Sequence, residues 1–226
     1  MDVCLGRDEC LQLDHLVRHE WLESNGRGGY AASTAGQCHT RKYHGLLVLP
    51  LSDPPGKFVL LSKLEASIGI ADDWYELGTN YYPSVVHPHG WQHLVQVSHE
   101  LWLTETFEVG GCELRRDTLM PRGDEAVMQR FSLIGAPGLV TLRLTPLLAY
   151  RQNHALTQAN PHLWPTVLVA DNQITMRPYP SLPPLIMEAS QPWQFETAPC
   201  WYYGVQYPGE QQRGLAFQED LFQPGI

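Results

Sequence analysis

The residues best equipped for chemistry crowd into one stretch. His39, Thr40, Arg41, Lys42, Tyr43 and His44 form an unbroken polar run that follows the glycine-rich segment Ser24-Asn25-Gly26-Arg27-Gly28-Gly29-Tyr30. Cations and hydrogen-bonding rings at this density suit a phosphate, a sugar diol or a carboxylate. The glycines invite a phosphate-cradle reading, but their spacing fits neither GxGxxG nor GxxxxGK followed by Ser or Thr. A tight turn with close backbone packing is the expectation there, because glycine tolerates both. His87, His89 and His93 in HPHGWQH look like ligands. Pro88 and Gly90 place them on a loop with no cysteine or paired carboxylate beside them, so solvated histidines and no metal are expected. Of the carboxylates, Glu219-Asp220 and Asp72-Asp73 are adjacent pairs. Glycoside hydrolysis needs two carboxyl groups about 5–10 Å apart. Neighbours in a strand point apart and an Asp-Asp turn is solvated, so neither pair signals catalysis by spacing. No GxSxG occurs, which leaves a serine triad unsupported.

These groups need a frame, and strand signals supply it. Leu46–Leu49, Phe58–Leu61, Leu94–Val97, Leu101–Val109, Cys112–Met120, Ala126–Leu133, Val140–Leu148, Thr166–Ala170 and Gln173–Arg177 are short β-rich runs between Gly, Pro and Asp/Asn punctuation. Gly110-Gly111 and Asp171-Asn172 read as two-residue hairpin turns, and Pro121–Glu125 as a longer connection. Cys10–His19 could be a short helix or strand, and no other long window keeps a helical period. The 18 prolines and 19 glycines point the same way. The predicted fold is an all-β antiparallel sandwich with long loops and little helix, formed as a single domain over residues 1–226. Arg177–Leu185 is proline-rich, yet strand-like sequence on both sides makes it a loop within that domain. If residues 39–48 are extended, Arg41, Tyr43 and Gly45 face one way and Lys42, His44 and Leu46 the other. That strand is then either a charge-protected edge or a polar face that meets a sugar or another domain. Trp74, Tyr75, Tyr81, Tyr82, Trp91, Trp201, Tyr202 and Tyr203 could stack on sugars, although aromatics in a sandwich more often fill the core.

Composition narrows the partners. The formal charge is −9 with only 15 Lys and Arg, which excludes a phosphate-backbone partner such as nucleic acid. The five cysteines are scattered without CxxC spacing, so neither a disulfide framework nor zinc is signalled. Reduced thiols, an acidic start and the lack of a long apolar run imply a cytoplasmic protein with no membrane partner.

Whole blocks of the sequence carry a resemblance. Glu20–Val48 (EWLESNGRGGYAASTAGQCHTRKYHGLLV) and Phe58–Ala66 (FVLLSKLEA) resemble the opening of bacterial and archaeal-type glycogen debranching enzymes, the amylo-α-1,6-glucosidase family. Thr145–His154 (TPLLAYRQNH) and Tyr207–Gly225 (YPGEQQRGLAFQEDLFQPG) are similar to later segments of that family. Cys38-His39, Gln152-Asn153 and Gln211-Gln212 depart from its pattern. The resemblance implies the family's N-terminal domain, a galactose-mutarotase-like supersandwich. The catalytic (α/α)6 barrel would follow past Ile226, so no catalytic residue can be assigned here and no cofactor is expected. It implies α-glucan (glycogen or maltooligosaccharide) and the catalytic domain as partners. Asn25, Gly28, Gly29, Tyr30, Arg41, Tyr43, His44, Glu219 and Asp220 are the candidates for substrate or interdomain contact. The function it implies is accessory: positioning substrate and packing on the barrel that hydrolyses α-1,6 bonds. An autonomous α-glucan-binding module is the alternative, with a glucanotransferase or sugar epimerase behind it on fold analogy alone.

Overall fold

The computed structural model describes residues 3–136 and 138–226. Its strands pair antiparallel throughout and form three sheets. The largest has ten strands. In spatial order nine of them are β2 (Glu20–Ser24), β3 (Tyr30–Thr34), β4 (Gly45–Ser52), β5 (Pro55–Ile70), β13 (Val140–Gln152), β18 (Gln218–Gly225), β17 (Thr197–Gln206), β7 (Thr79–Tyr82) and β8 (Val85–His89). The tenth, β6 (Asp73–Glu76), folds back on the far end of β5. A five-stranded sheet runs β1 (Val3–Leu5), β9 (Leu94–His99), β10 (Leu103–Val109), β11 (Cys112–Leu119) and β12 (Met128–Ile134). A small sheet joins β14 (Val167–Ala170), β15 (Gln173–Met176) and β16 (Leu185–Glu188). Among the described residues, helix is confined to α1 (Arg7–Cys10), α2 (Leu13–Leu16), α3 (Pro208–Gln212) and one 3-10 turn at Gly90–His93. The all-β antiparallel expectation therefore holds, and none of these helices is long and apolar enough to cross a membrane.

Period-2 alternation explains how the large sheet serves two faces. Along β5, the even-numbered Leu60, Leu64, Ala66, Ile68 and Ile70 pack into the cores under the small and five-stranded sheets. Val59 belongs to a third cluster with Val48, Leu147, Ala149, Val205, Tyr207 and Leu221. The neighbours Leu47, Phe58, Leu148 and Phe222 lie in the core beneath the small sheet instead. The third cluster thus marks the opposite face of the ten-stranded sheet, and the polar residues of interest gather beside it.

The hairpins match their turn chemistry. Gly110 and Gly111 both take positive φ, +52° and +79°, as a type I′ turn between β10 and β11 requires. Asp171 does so at +50° between β14 and β15. Arg177–Leu185 connects β15 to β16 within one sheet, so it is a loop. Two local expectations need correction. Arg41–His44 is a turn and not a strand, because β4 starts only at Gly45. The histidines of HPHGWQH are not on a loop: His87 and His89 end strand β8 and His93 closes the 3-10 turn.

Candidate functional site

The glycine segment is the tight turn between β2 and β3, and Asn25 builds it. The Asn25 Oδ1 accepts from the backbone N–H groups of Arg27 at 2.8 Å and Gly29 at 2.9 Å, an Asx-type closure. Its Nδ2 donates to the Asp124 carbonyl at 2.9 Å, tying the turn to the Pro121–Glu125 connection. A Cβ on Gly29 would lie 2.6 Å from Asn25 Nδ2 and 2.9 Å from Leu49, and Gly28 has φ +90°. Asn25, Gly28 and Gly29 therefore shape the backbone, and Asn25 itself is buried.

At the other end of β4 lies the segment Thr40–His44, which is held by hydrogen bonds outside the strand ladders. The Thr40 amide donates to His44 Nδ1 at 3.2 Å, and the His44 amide to the Arg41 carbonyl at 3.1 Å. Tyr30 Oη donates to the Tyr43 carbonyl at 2.9 Å. Arg151 Nη2 donates to the Lys42 carbonyl at 2.7 Å. From α3, the Gly209 amide reaches the Thr40 carbonyl at 2.8 Å. A polar backbone satisfied at so many points is rigid although irregular. It presents Arg41, Lys42 and Tyr43 half-exposed, with His44 buried behind them.

The clamp on Lys42 rests on a buried ion pair. Register between β5 and β13 shifts after Leu148, and Tyr150 takes φ +47° before pairing resumes at Arg151. Bulges of this kind re-aim a side chain. Here Arg151, buried among the third cluster, meets Glu219 on β18 through Nε and through Nη2 at 3.0 Å. Glu219 is fully buried and also accepts from Tyr207 Oη and from the Thr157 amide at 2.9 Å. Burial, then the Glu219 charge, pushes the Tyr207 phenol far up, so it remains a donor. Asp220 faces elsewhere and accepts from the amides of Ala159 at 2.9 Å and Gly204 at 2.8 Å, locking β17 and β18. Of the sequence candidates, Tyr30, Arg41, Tyr43, His44 and Glu219 are linked through the Thr40–His44 turn and Arg151, whereas Asn25, Gly28 and Gly29 pack against Asp124, Leu49 and Pro50 and Asp220 stands apart.

A second polar group lies alongside. Lys63 Nζ is buried against Glu65 Oε1 at 2.8 Å, Asn80 Oδ1 at 2.7 Å and the Thr79 carbonyl at 2.9 Å. Burial, reinforced by Lys63, drives His39 well below its ordinary range and keeps that imidazole neutral. Sequence reading missed Arg151, Glu20, Tyr207 and His154; the charged Arg151 and Glu219 inside otherwise apolar strands were the available signal.

Glu20 gives this site a pH response. Its carboxylate is approached by His44 Nε2 at 3.5 Å and by Arg41 Nε at 2.5 Å. The contact with His44 first, and that with Arg41, outweigh partial burial and hold its pKa down from 4.5 to about 2. A depressed carboxylate contributes stability above its unfolded value and loses it as pH falls through the folded one. The side chain is 40% exposed, so screening leaves only about 1 kcal/mol of that linkage. Urea midpoints between pH 5 and 2 should fall more steeply for the wild type than for Glu20→Gln, and parallel curves would contradict the pairing.

No deep pocket opens here. The cavities beside Ser33, Gln37 and Gln129, and beside His19 and His99, measure about 10 Å3 each, room for one water and not for a sugar ring. Among the described residues no three His, Cys, Asp or Glu groups converge as metal ligands. The site can offer a rigid, cationic and aromatic surface. A family model described as glycogen debranching enzyme N terminal matches residues 19–226. No curated protein and no solved structure matches the chain.

Proposed function

The chain belongs to the glycogen debranching enzyme N-terminal family, and we propose that it acts as the accessory domain of such an enzyme. In this reading it positions α-glucan and packs against the helical barrel whose two carboxylates hydrolyse the α-1,6 bond. The observation that carries the proposal is the clamped Thr40–His44 turn. Its backbone is fixed from β3, β13 and α3, so Arg41 and Tyr43 meet a partner surface already ordered and little entropy is lost on contact. The half-exposed Arg41 guanidinium suits sugar hydroxyls and the half-exposed Tyr43 ring a pyranose face.

The test is kinetic. In a debranching enzyme carrying this domain, Arg41→Ala should raise KM for a branched dextrin about tenfold with kcat within about twofold, as loss of one charge-assisted hydrogen bond predicts. His44→Ala should loosen the turn and lower thermal stability as well. If both variants keep wild-type activity and wild-type melting, the assignment fails.

A further inference from the structure

Tyr43 is fixed more firmly than a surface tyrosine needs to be. The carbonyls of two consecutive residues, Lys42 and Tyr43, each accept from a different side chain, Arg151 at 2.7 Å and Tyr30 at 2.9 Å. The phenol is held too, with Oη 3.2 Å from His154 Nδ1 and the two rings edge-on at 5.6 Å. Backbone, ring tilt and hydroxyl are therefore all set before any ligand arrives, while the ring stays half-exposed and His154 exposed. Cations accompany the aromatic groups: Lys42 Nζ lies 5.5 Å from the Tyr43 ring, and Lys57 Nζ 5.5 Å from that of Tyr30.

We propose that Tyr43 is a stacking platform for one glucosyl unit of an α-glucan, with Lys42 and His154 as partners for that unit's hydroxyls. The inference rests on the accessory-domain reading and deepens it by saying where the sugar lies. A pyranose presents an apolar C–H face rimmed by hydroxyls, so it fits an aromatic plane flanked by polar side chains. The neighbouring cavities admit no more than a water, so a ligand this large must sit on the open surface. A ring with a fixed tilt suits that position, because stacking on it requires no further ordering of the protein.

The experiment titrates maltotetraose into the full chain by calorimetry, alongside saturation-transfer NMR from protonated tyrosine in an otherwise deuterated protein. Wild type should bind, with transfer concentrated on the protons of one pyranose face. Tyr43→Ala should weaken Kd about 3- to 10-fold, the range for one aromatic contact. Tyr43→Phe keeps the ring and should stay within about twofold, and circular dichroism confirms that all variants fold. Wild-type affinity in Tyr43→Ala, or no saturable binding by the wild type, overturns the platform. Neither result touches the Arg41 kinetics on which the accessory-domain reading stands, so the two can fail separately.

Discussion

Arg151→Met lowers the stability of the chain by about 3–5 kcal/mol, the usual consequence of stranding one half of a buried ion pair. In a chain of 226 residues this is a fall in Tm of roughly 6–20 °C. The magnitude follows from what remains. Glu219 is fully buried, and without Arg151 its charge is answered only by Tyr207 Oη and the Thr157 amide. Methionine fills much of the arginine stem's volume, so cavity formation adds little and the loss reports the charge. Glu219→Gln should also destabilise, since it leaves the guanidinium with the Lys42 carbonyl and weaker partners. The double variant should recover part of the loss, because no uncompensated charge stays inside. Urea unfolding of the four proteins measures the coupling. If both single variants lose less than about 1 kcal/mol, the pair is not the buried anchor described. Arg151→Met also releases the Lys42 carbonyl, so binding through the turn should weaken even at temperatures where the protein stays folded.

How far this site could be read from the sequence depends on whether its contacts are local. The Gly110-Gly111 hairpin was legible because two adjacent positive φ angles demand glycine-like residues at that spot. The length of β5 was also encoded, since Lys63, Glu65, Ser67 and Gly69 alternate with Leu64, Ala66, Ile68 and Ile70, but only Phe58–Leu61 reads as strand by composition. Strand β3 hides for the opposite reason: its small residues Ala31, Ala32 and Ser33 are all buried and show no alternation. In β18 the carboxylates Glu219 and Asp220 interrupt the apolar signal because each serves an internal partner. The Thr40–His44 turn was least accessible. Its fixing groups come from distant sequence, Arg151 lying 109 residues from Lys42 and 68 from Glu219. A polar run of six residues can be read as an extended edge or as a turn, and only those remote donors decide between them.

Gly209→Ala should destabilise the chain by about 2 kcal/mol, although alanine is the better helix former. Helix α3 spans five residues, too few to persist without tertiary support. It is placed by Tyr207, whose carbonyl receives the Glu210 and Gln211 amides, and by the Gly209 amide donating to the Thr40 carbonyl at 2.8 Å. A Cβ on Gly209 would lie 2.8 Å from that same oxygen. The obstacle is backbone that is itself clamped, so α3 must retreat and the hydrogen bond must lengthen. One term opposes the loss. Glu210 is fully buried with neither carboxylate oxygen hydrogen-bonded within the protein, and a displaced helix would let water reach it. Water at one carboxylate does not restore the lost packing of Tyr207 and the turn, so the net effect stays unfavourable. Gly214→Ala is the control: its φ of +70° makes alanine strained, but nothing lies within 4 Å, so it should cost about 1 kcal/mol without touching the turn. Amide hydrogen exchange at Thr40 and His44, whose N–H groups are hydrogen-bonded within the turn, separates the two. Faster exchange in Gly209→Ala alone means that α3 holds the turn in place, whereas equal protection in both variants would mean that β3 and β13 hold it unaided.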